Sequence, residues 1–583
     1  MWSIAPWWTV ANVILAVIQG LLPLAQLYLM KLIVDEVTAG VSAADKSQAL
    51  SRTFWLIAIA AVVGLVTVLA RSAAQLVGEA QGQVVTDHIS DLIHAKSIAV
   101  DLEYYENSRY YDVLHRAQQE APYRPTRIVN DLVMVGQSLV SLIAVAGLLI
   151  GLHWSLGLIV IAAAVPGAYV KIRYSGVIFS WQRRSTVADR RSWYYHILLT
   201  DGSKAKELRL LAIGEILREW FRGLRHRLRR ERFRLIGLRS LADGVTGVVA
   251  SLAVFGTFAF IARQAIRGAI SLGSMVMYYQ AFQTALTSLQ QTLTGLAGLY
   301  EDNLFLSYYH EFMALEPTVI DPPRPRPVPR PLRTGVVFEG VSFGYPDSDR
   351  VALHDIDLEI KPGEVAALVG QNGSGKTTLV KLLCRLYDPQ QGRVTLDGVD
   401  LREMSVAELR RSMSVVFQDY SQYYLTAREN IWVGDVALDL HDEAIVAAAR
   451  ASGADEVIDS LAHGYDTILG KLFDEGEELS VGEWQKVAVA RSFLRDADIM
   501  VFDEPTSALD PLAEWNVFER IRERARGRAV LLISHRFSTV RNADRIHIVD
   551  QGHIVESGTH TELMRLDGRY ARMYEVQARA YGI

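Results

Sequence analysis

Cysteine is nearly missing from this 583-residue chain: Cys384 stands alone, so no disulfide can form within it. Its place in an apolar helical pattern makes it a packing residue. Charge is missing too, but in patches. Residues 1–30 contain no Asp, Glu, Lys or Arg, and neither do 54–70, 132–170, 244–262 and 269–300. These gaps exclude an ordinary soluble surface over the first 300 residues, since a soluble helix of that length presents at least one charged face. An apolar helix crosses a bilayer in about 20 residues, so the run from Leu132 to Val170 must turn back, with Gly151, His153, Trp154 and Gly157 as the hairpin tip. Six spans result, near 8–33, 54–80, 130–152, 155–175, 242–264 and 270–300. The first run lacks a basic flank and an A-x-A site, which excludes a cleaved signal peptide.

What charge there is has a direction. Between 171 and 239 stand 18 Lys/Arg against 6 Asp/Glu, whereas the 35–52 loop has only Lys46 and Arg52 as cations and the last hairpin only Arg263 and Arg267. The basic loop then faces the cytoplasm, with both termini on the same side. Topology and anionic headgroups account for "FRGLRHRLRRERFRLIGLR" (221–239), so no nucleic-acid partner is expected. The long loops continue the spans out of the bilayer and fold back through short crosswise elements, with candidates "YYENSRYYDVLHRA" (104–117) and "LLTDGSKAKELRLL" (198–211).

Residues 321–332 are proline-rich, "DPPRPRPVPRP" followed by Leu332, a stiff extended linker between a membrane domain (1–320) and a second domain (333–583). There short apolar runs such as "EVAALVG", "RVTLDG", "IMVFDEP" and "AVLLISH" alternate with helical patterns. This predicts an α/β fold with a largely parallel core sheet, the first antiparallel-looking pieces forming a side sheet. The fold expected is therefore multidomain: an all-α six-helix membrane domain with long cytoplasmic extensions, then an α/β domain.

"GQNGSGKT" (370–377) follows one of those strands and opens an apolar helix. Glycines at this spacing let backbone N–H groups turn inward around phosphates, Lys376 adds a cation, and Thr377 offers a hydroxyl to Mg²⁺. "IMVFDE" ends a strand in two carboxylates: Asp503 suits a metal, and Glu504 suits the polarisation of an attacking water. "LLISHR" ends another strand at Ser534 and His535, on the sheet edge where a γ-phosphate would lie.

With these motifs in this order, the whole chain resembles an ATP-binding cassette exporter half-transporter of type IV, bacterial subgroup. The resemblance implies an ATP-hydrolysing, P-loop α/β domain using ATP and Mg²⁺. It implies that Gly370, Gln371, Asn372, Gly373, Ser374, Gly375, Lys376, Thr377 and Thr378 contact nucleotide, with Tyr345 stacking on adenine. Glu504, His535 and Gln418 would be catalytic, and Thr377, Gln418 and Asp503 would surround the metal. "LSVGE" (479–483) is similar to the signature Leu-Ser-Gly-Gly-Gln. Ser480, Gly482 and Glu483 would then close on an ATP held by a second half-transporter, and Asp510 would cross to that partner. Val481 and Glu483 depart from the signature: the first would restrict the backbone, and the second would bring negative charge near the nucleotide. The crosswise elements resemble coupling helices.

The function implied is ATP-driven export by alternating access in a dimer, a homodimer ahead of a heterodimer, moving a peptide, lipid or other amphipathic compound. Gln280, Gln283, Thr284, Thr287, Gln291 and Thr294 form a polar stripe on the last span, fit for a cavity lining or for helix contacts. The alternative is an ATP-gated channel or regulatory subunit, which has no need of Glu504.

Overall fold

The computed structural model describes residues 4–41, 45–107, 110, 113–114, 124–346, 348–505 and 511–580. The chain divides into two compact units, residues 1–99 with 111–315 and residues 100–110 with 316–583.

Helices, in chain order, are α1 (Pro6–Val41), α2 (Lys46–Ala99), the short α3 (Leu102–Glu106, in the second unit), α4 (Arg124–Leu152), α5 (Ser155–Thr200), α6 (Ala205–Leu210), α7 (Gly214–Ile266) and α8 (Leu272–Met313). Five of them, α1, α2, α4, α5 and α7, are long and apolar enough to cross a membrane. α8 has the length, and it is uncharged from 269 to 300, but its Gln and Thr residues make that uncharged stretch less apolar than the membrane-spanning stretches of those five. The chain reverses between α4 and α5 at His153 and Trp154, where the His153 ring accepts from the Ser155 N–H. Ser271 caps α8 by accepting from the Ser274 N–H at 3.1 Å.

Large apolar side chains point outward from the first unit, among them Trp55, Ile143 and Phe255. In water such a surface is unfavourable, whereas in hydrocarbon it is matched. Inside, helices approach through small residues: a Cβ on Gly20 would meet Val140 at 2.6 Å, and one on Gly295 would overlap Val135. Val145, Leu149, Val160, Met277 and Phe282 fill one core. Buried polar groups pair across helices, Asn12 donating to Gln81 and Arg124 to Asp302, each at 2.5 Å. Buried and unpaired, each would be costly.

The second unit is α/β. Its strands are β1 (Val336–Gly344), β2 (Val351–Ile360), β3 (Val365–Val369), β4 (Gln391–Leu396), β5 (Val399–Asp400), β6 (Met413–Val416), β7 (Ile499–Asp503), β8 (Ala529–Ile533), β9 (Arg545–Asp550) and β10 (His553–Gly558). A six-stranded sheet runs β10-β9-β3-β8-β7-β6, parallel throughout except for β10 against β9. β3, β7 and β8 are buried along their whole length, which is why they read as unbroken apolar runs. "RVTLDG" belongs to the other sheet, the antiparallel β2-β1-β4-β5. Among the helices are α9 (Lys376–Leu383), α10 (Val481–Leu494), α11 (Pro511–Arg524) and α12 (Arg569–Ala580). The register aligns the carboxyl ends of β3, β7 and β8, and that end of a parallel sheet is where ligands bind.

Of the crosswise elements, α3 covers the start of 104–117, and several later residues of that stretch lie outside the described ones. The other is a tight turn at Gly202–Lys204 leading into α6.

Candidate functional site

β3 ends at Val369, and the next residues bend back on themselves before α9 begins. Gly373 and Gly375 take φ of 75° and 110°, angles that glycine alone adopts without strain. A Cβ on Gly375 would lie 2.6 Å from the Leu353 side chain. Lys376 is buried and donates to the carbonyls of Gly370 (2.8 Å) and Gln371 (3.0 Å). Burial holds its ammonium below the ordinary lysine range, opposed by the charges of Glu504 and Asp503. The buried Ser374 hydroxyl has no partner among the described residues, so the loop still holds a donor for an anion.

At the end of β7, Asp503 is buried and accepts from the Thr377 hydroxyl at 3.0 Å. Burial pushes its carboxyl up to about 6; Glu504 adds to this, while the Thr377 bond and Lys376 work against it. A cation seated here would restore the charged form. Glu504 sits at φ 52°, a left-handed conformation unusual for a side chain with a Cβ, and such strain concentrates at functional sites. Both its carboxylate oxygens are engaged: Oε1 with His535 Nε2 at 2.6 Å and Oε2 with Gln418 Nε2 at 3.2 Å. The Glu504 carbonyl accepts from Gln485 of α10 at 3.1 Å, and the His535 carbonyl from Gln577 of α12 at 3.0 Å.

These groups line one cavity of about 390 Å³, walled by Tyr345, Asn372, Gly373, Gly375, Lys376, Thr377, Thr378, Gln418, Asp503, Glu504 and His535, together with Ser348, Arg350 and Ala352. Tyr345 shares a 3.1 Å hydrogen bond with Thr378. Gly370 and Gln371 serve from behind as the acceptors for Lys376. The sequence reading missed Arg350, which stands in a loop without a motif, and the two buttressing glutamines. Gln485 lies two residues beyond "LSVGE" in a plain helical run, and Gln577 has no local signal.

Ser480, Gly482 and Glu483 do not line this cavity. They open α10 in a reciprocal cap: Ser480 Oγ accepts from the Glu483 N–H at 3.4 Å, and the Glu483 carboxylate accepts from the Ser480 N–H at 2.7 Å. The acidic departure at 483 is therefore held by its own helix start. Val481 is a first-turn helical residue, 64% exposed, with its carbonyl taken by the Tyr420 hydroxyl at 2.9 Å, and its side chain meets no backbone demand for glycine. Glu483→Gln and Val481→Gly should each leave ATP turnover within about two-fold, because glutamine also closes this cap. Glu483→Ala should cost about 1 kcal/mol of stability, read as a lowered unfolding midpoint. Asp510 lies outside the described residues.

The donor set also fits a hard cation. Thr377, Asp503 and Gln418 offer a hydroxyl, a carboxylate and an amide oxygen, the ligands Mg²⁺ takes alongside phosphate.

The chain matches the ABC transporter transmembrane region over residues 9–289 and the ABC transporter family over residues 353–507. It is 30% identical over 483 residues to the subtilin transport ATP-binding protein SpaT of Bacillus subtilis, covering 82% of this chain and 78% of the relative. The chain belongs to the ABC transporter family. An ATP-dependent lipid A-core flippase of Methylobacillus flagellatus is 46% identical over 242 residues, 42% of this chain and 41% of the flippase. The fold is shared with a bacterial Atm1-family ABC exporter with ATP bound, at a TM-score of 0.85 and 24% identity, covering 97% of this chain and 98% of that one. This ABC transporter is thus an integral membrane protein of the exporter group, with membrane and ATP-binding parts fused in one chain. It is a transport ATPase.

Proposed function

We propose that the protein exports an amphipathic compound by alternating access as a dimer, hydrolysing ATP at two sites each shared between copies. The observation that carries this is the separation of two half-sites. The phosphate loop, Asp503, Glu504 and His535 meet in one cavity, while the capped Ser480–Gly482 start of α10, a helix N-terminus suited to anions, takes no part in its walls. A second chain supplies the missing half, and two identical chains suffice.

Glu504 would polarise water for attack, His535 and Gln418 holding its two oxygens in position. Mg²⁺, carried by Thr377, Asp503 and Gln418, would neutralise phosphate charge. Nucleotide closure favours one arrangement of the paired cassettes, and hydrolysis removes that preference. We place the chain in the cytoplasmic membrane, and the basic 171–239 loop supports an orientation with both termini inside.

The cargo reading rests on α8. Gln283, Thr287, Gln290 and Gln291 are exposed on the single chain, with Gln280, Thr284 and Thr294 half-buried beside them. A polar face left open by its own unit avoids lipid and suits a cavity between copies. Relatives named for subtilin transport and lipid A-core flipping are compatible with a peptide or lipid cargo of mixed polarity.

The test uses the buried Cys384 as a silent background. In Glu504→Gln chains carrying either Asn372→Cys or Ser480→Cys, mixed and reconstituted, ATP should produce a cross-linked pair of chains. Cross-links that never exceed the ATP-free level would sink the shared site. With the parent chain in proteoliposomes, ATP-dependent movement of a labelled lipid or amphipathic peptide should follow.

A further inference from the structure

The segment 100–110 packs with the ATP-binding part of the chain, and its attachment is polar and specific. Asp101 accepts from the Thr318 N–H and hydroxyl and from the Val319 N–H, the last at 3.2 Å, and the Tyr104 hydroxyl donates to the Glu316 carbonyl at 2.9 Å. At the other end of α3, Glu106 uses both oxygens: Oε1 accepts from Lys381 Nζ at 2.6 Å and Oε2 from the Tyr387 hydroxyl at 2.6 Å.

These two donors surround Tyr345. Lys381 Nζ stands 5.1 Å from the centre of the Tyr345 ring and 5.9 Å from that of Tyr387. Tyr387 meets Tyr345 edge-to-face, 5.5 Å between centroids at 87°, and Phe343 does the same from another side at 5.1 Å and 81°. The far end of Tyr345 is bonded to Thr378. The ring that borders the nucleotide cavity is therefore fixed on several sides, and two of its neighbours take their own positions from one carboxylate on α3. Cation–ring and edge-to-face contacts depend on position, so a displaced Lys381 or Tyr387 loosens the ring between them.

We propose that Glu106 is a positioning residue for the nucleobase: through Lys381 and Tyr387 it holds Tyr345 in the pose on which the base stacks. This rests on the reading of Tyr345 as the base platform. By linkage, base binding then favours the seated position of α3 to the same degree that seated α3 favours the base, giving the chain connection at residues 100–110 a direct thermodynamic tie to nucleotide occupancy. The phosphates, gripped by Lys376 and the loop, are outside this tie.

That split supplies the test, made at equilibrium without turnover. Displacement of a fluorescent ATP analogue from the detergent-solubilised full chain is measured with ATP and with inorganic tripolyphosphate, which has no base. Glu106→Ala and Lys381→Met should each weaken ATP by roughly three- to ten-fold, the size of a lost charged and ring contact, and leave tripolyphosphate unchanged. Their combination should weaken ATP no more than either alone, and Lys381→Arg should restore most of the affinity. In steady state KM should rise while kcat holds. If Tyr345→Ala weakens ATP selectively and Glu106→Ala does not, the positioning role is overturned. If Tyr345→Ala itself leaves ATP and tripolyphosphate in their parent ratio, the platform reading falls first. Equal weakening of both ligands by Glu106→Ala would mean general loosening of the unit and would likewise refute the proposal.

Discussion

Glu504→Gln should slow ATP hydrolysis by roughly 10²–10⁴-fold while nucleotide still binds, the range expected for loss of a positioned general base. Glutamine has the size of glutamate and keeps one oxygen for the neighbouring donors, so the cavity stays formed. What disappears is the charge. In the parent chain Oε1 meets His535 at 2.6 Å and Oε2 meets Gln418 at 3.2 Å, which fixes the carboxylate plane. The strained Glu504 backbone is held through its carbonyl by Gln485 and through its N–H by Ile533. A base held by this many contacts loses little entropy on reaching the transition state, and its removal exposes the whole contribution. Phosphate release and equilibrium ATP binding are the two measurements. Residual turnover above about a tenth of the parent rate would place the base elsewhere. Efflux in proteoliposomes should fall in step with hydrolysis, and cargo movement persisting in the variant would identify an ATP-opened gate.

The parts of this site that sequence disclosed are those whose chemistry is local. A phosphate loop needs its glycines, lysine and threonine consecutively, so Gly373, Gly375, Lys376 and Thr377 announce themselves. Asp503 and His535 follow apolar strands, and a parallel sheet brings strand ends together without further information. Charge-free runs disclosed the membrane helices because hydrocarbon imposes a compositional rule. Long-range partners follow no such rule. Gln485 and Gln577 reach the site from two helices, and nothing in their neighbourhood distinguishes a buttressing glutamine from a surface one. Glu106 lies 275 residues from Lys381, in a stretch that reads as a crosswise helix whatever it touches. Val481 and Glu483 show the reverse: read against a signature they look like defects, and the helix start turns one into a cap and the other into an exposed first-turn side chain.

Trp484→Ala should lower the unfolding midpoint of the ATP-binding unit on the order of 10 °C, from about 3–5 kcal/mol for an emptied aromatic site and roughly 2–4 °C per kcal/mol at this size. Trp484 is the bulkiest of the fully buried side chains, 1% exposed, and belongs to the core cluster that includes Leu479, Val487, Phe493 and Phe502. Its backbone N–H, which the alanine variant keeps, closes the first turn of α10 onto the Ser480 carbonyl at 2.9 Å, so the side chain's share is the packing alone. One residue therefore anchors the helix whose start presents Ser480 and Gly482 and whose next residue, Gln485, steadies Glu504. Loosening α10 should disturb both halves of the ATP chemistry, so turnover should fall below what the midpoint shift explains at a temperature where the variant is still folded. Trp484→Phe, which keeps most of the ring volume, should recover more than half of both losses. Differential scanning calorimetry with ATPase assays on the same samples separates the effects. A midpoint within about 2 °C of the parent would mean the surrounding core closes over the gap and that α10 takes its orientation from its cap alone.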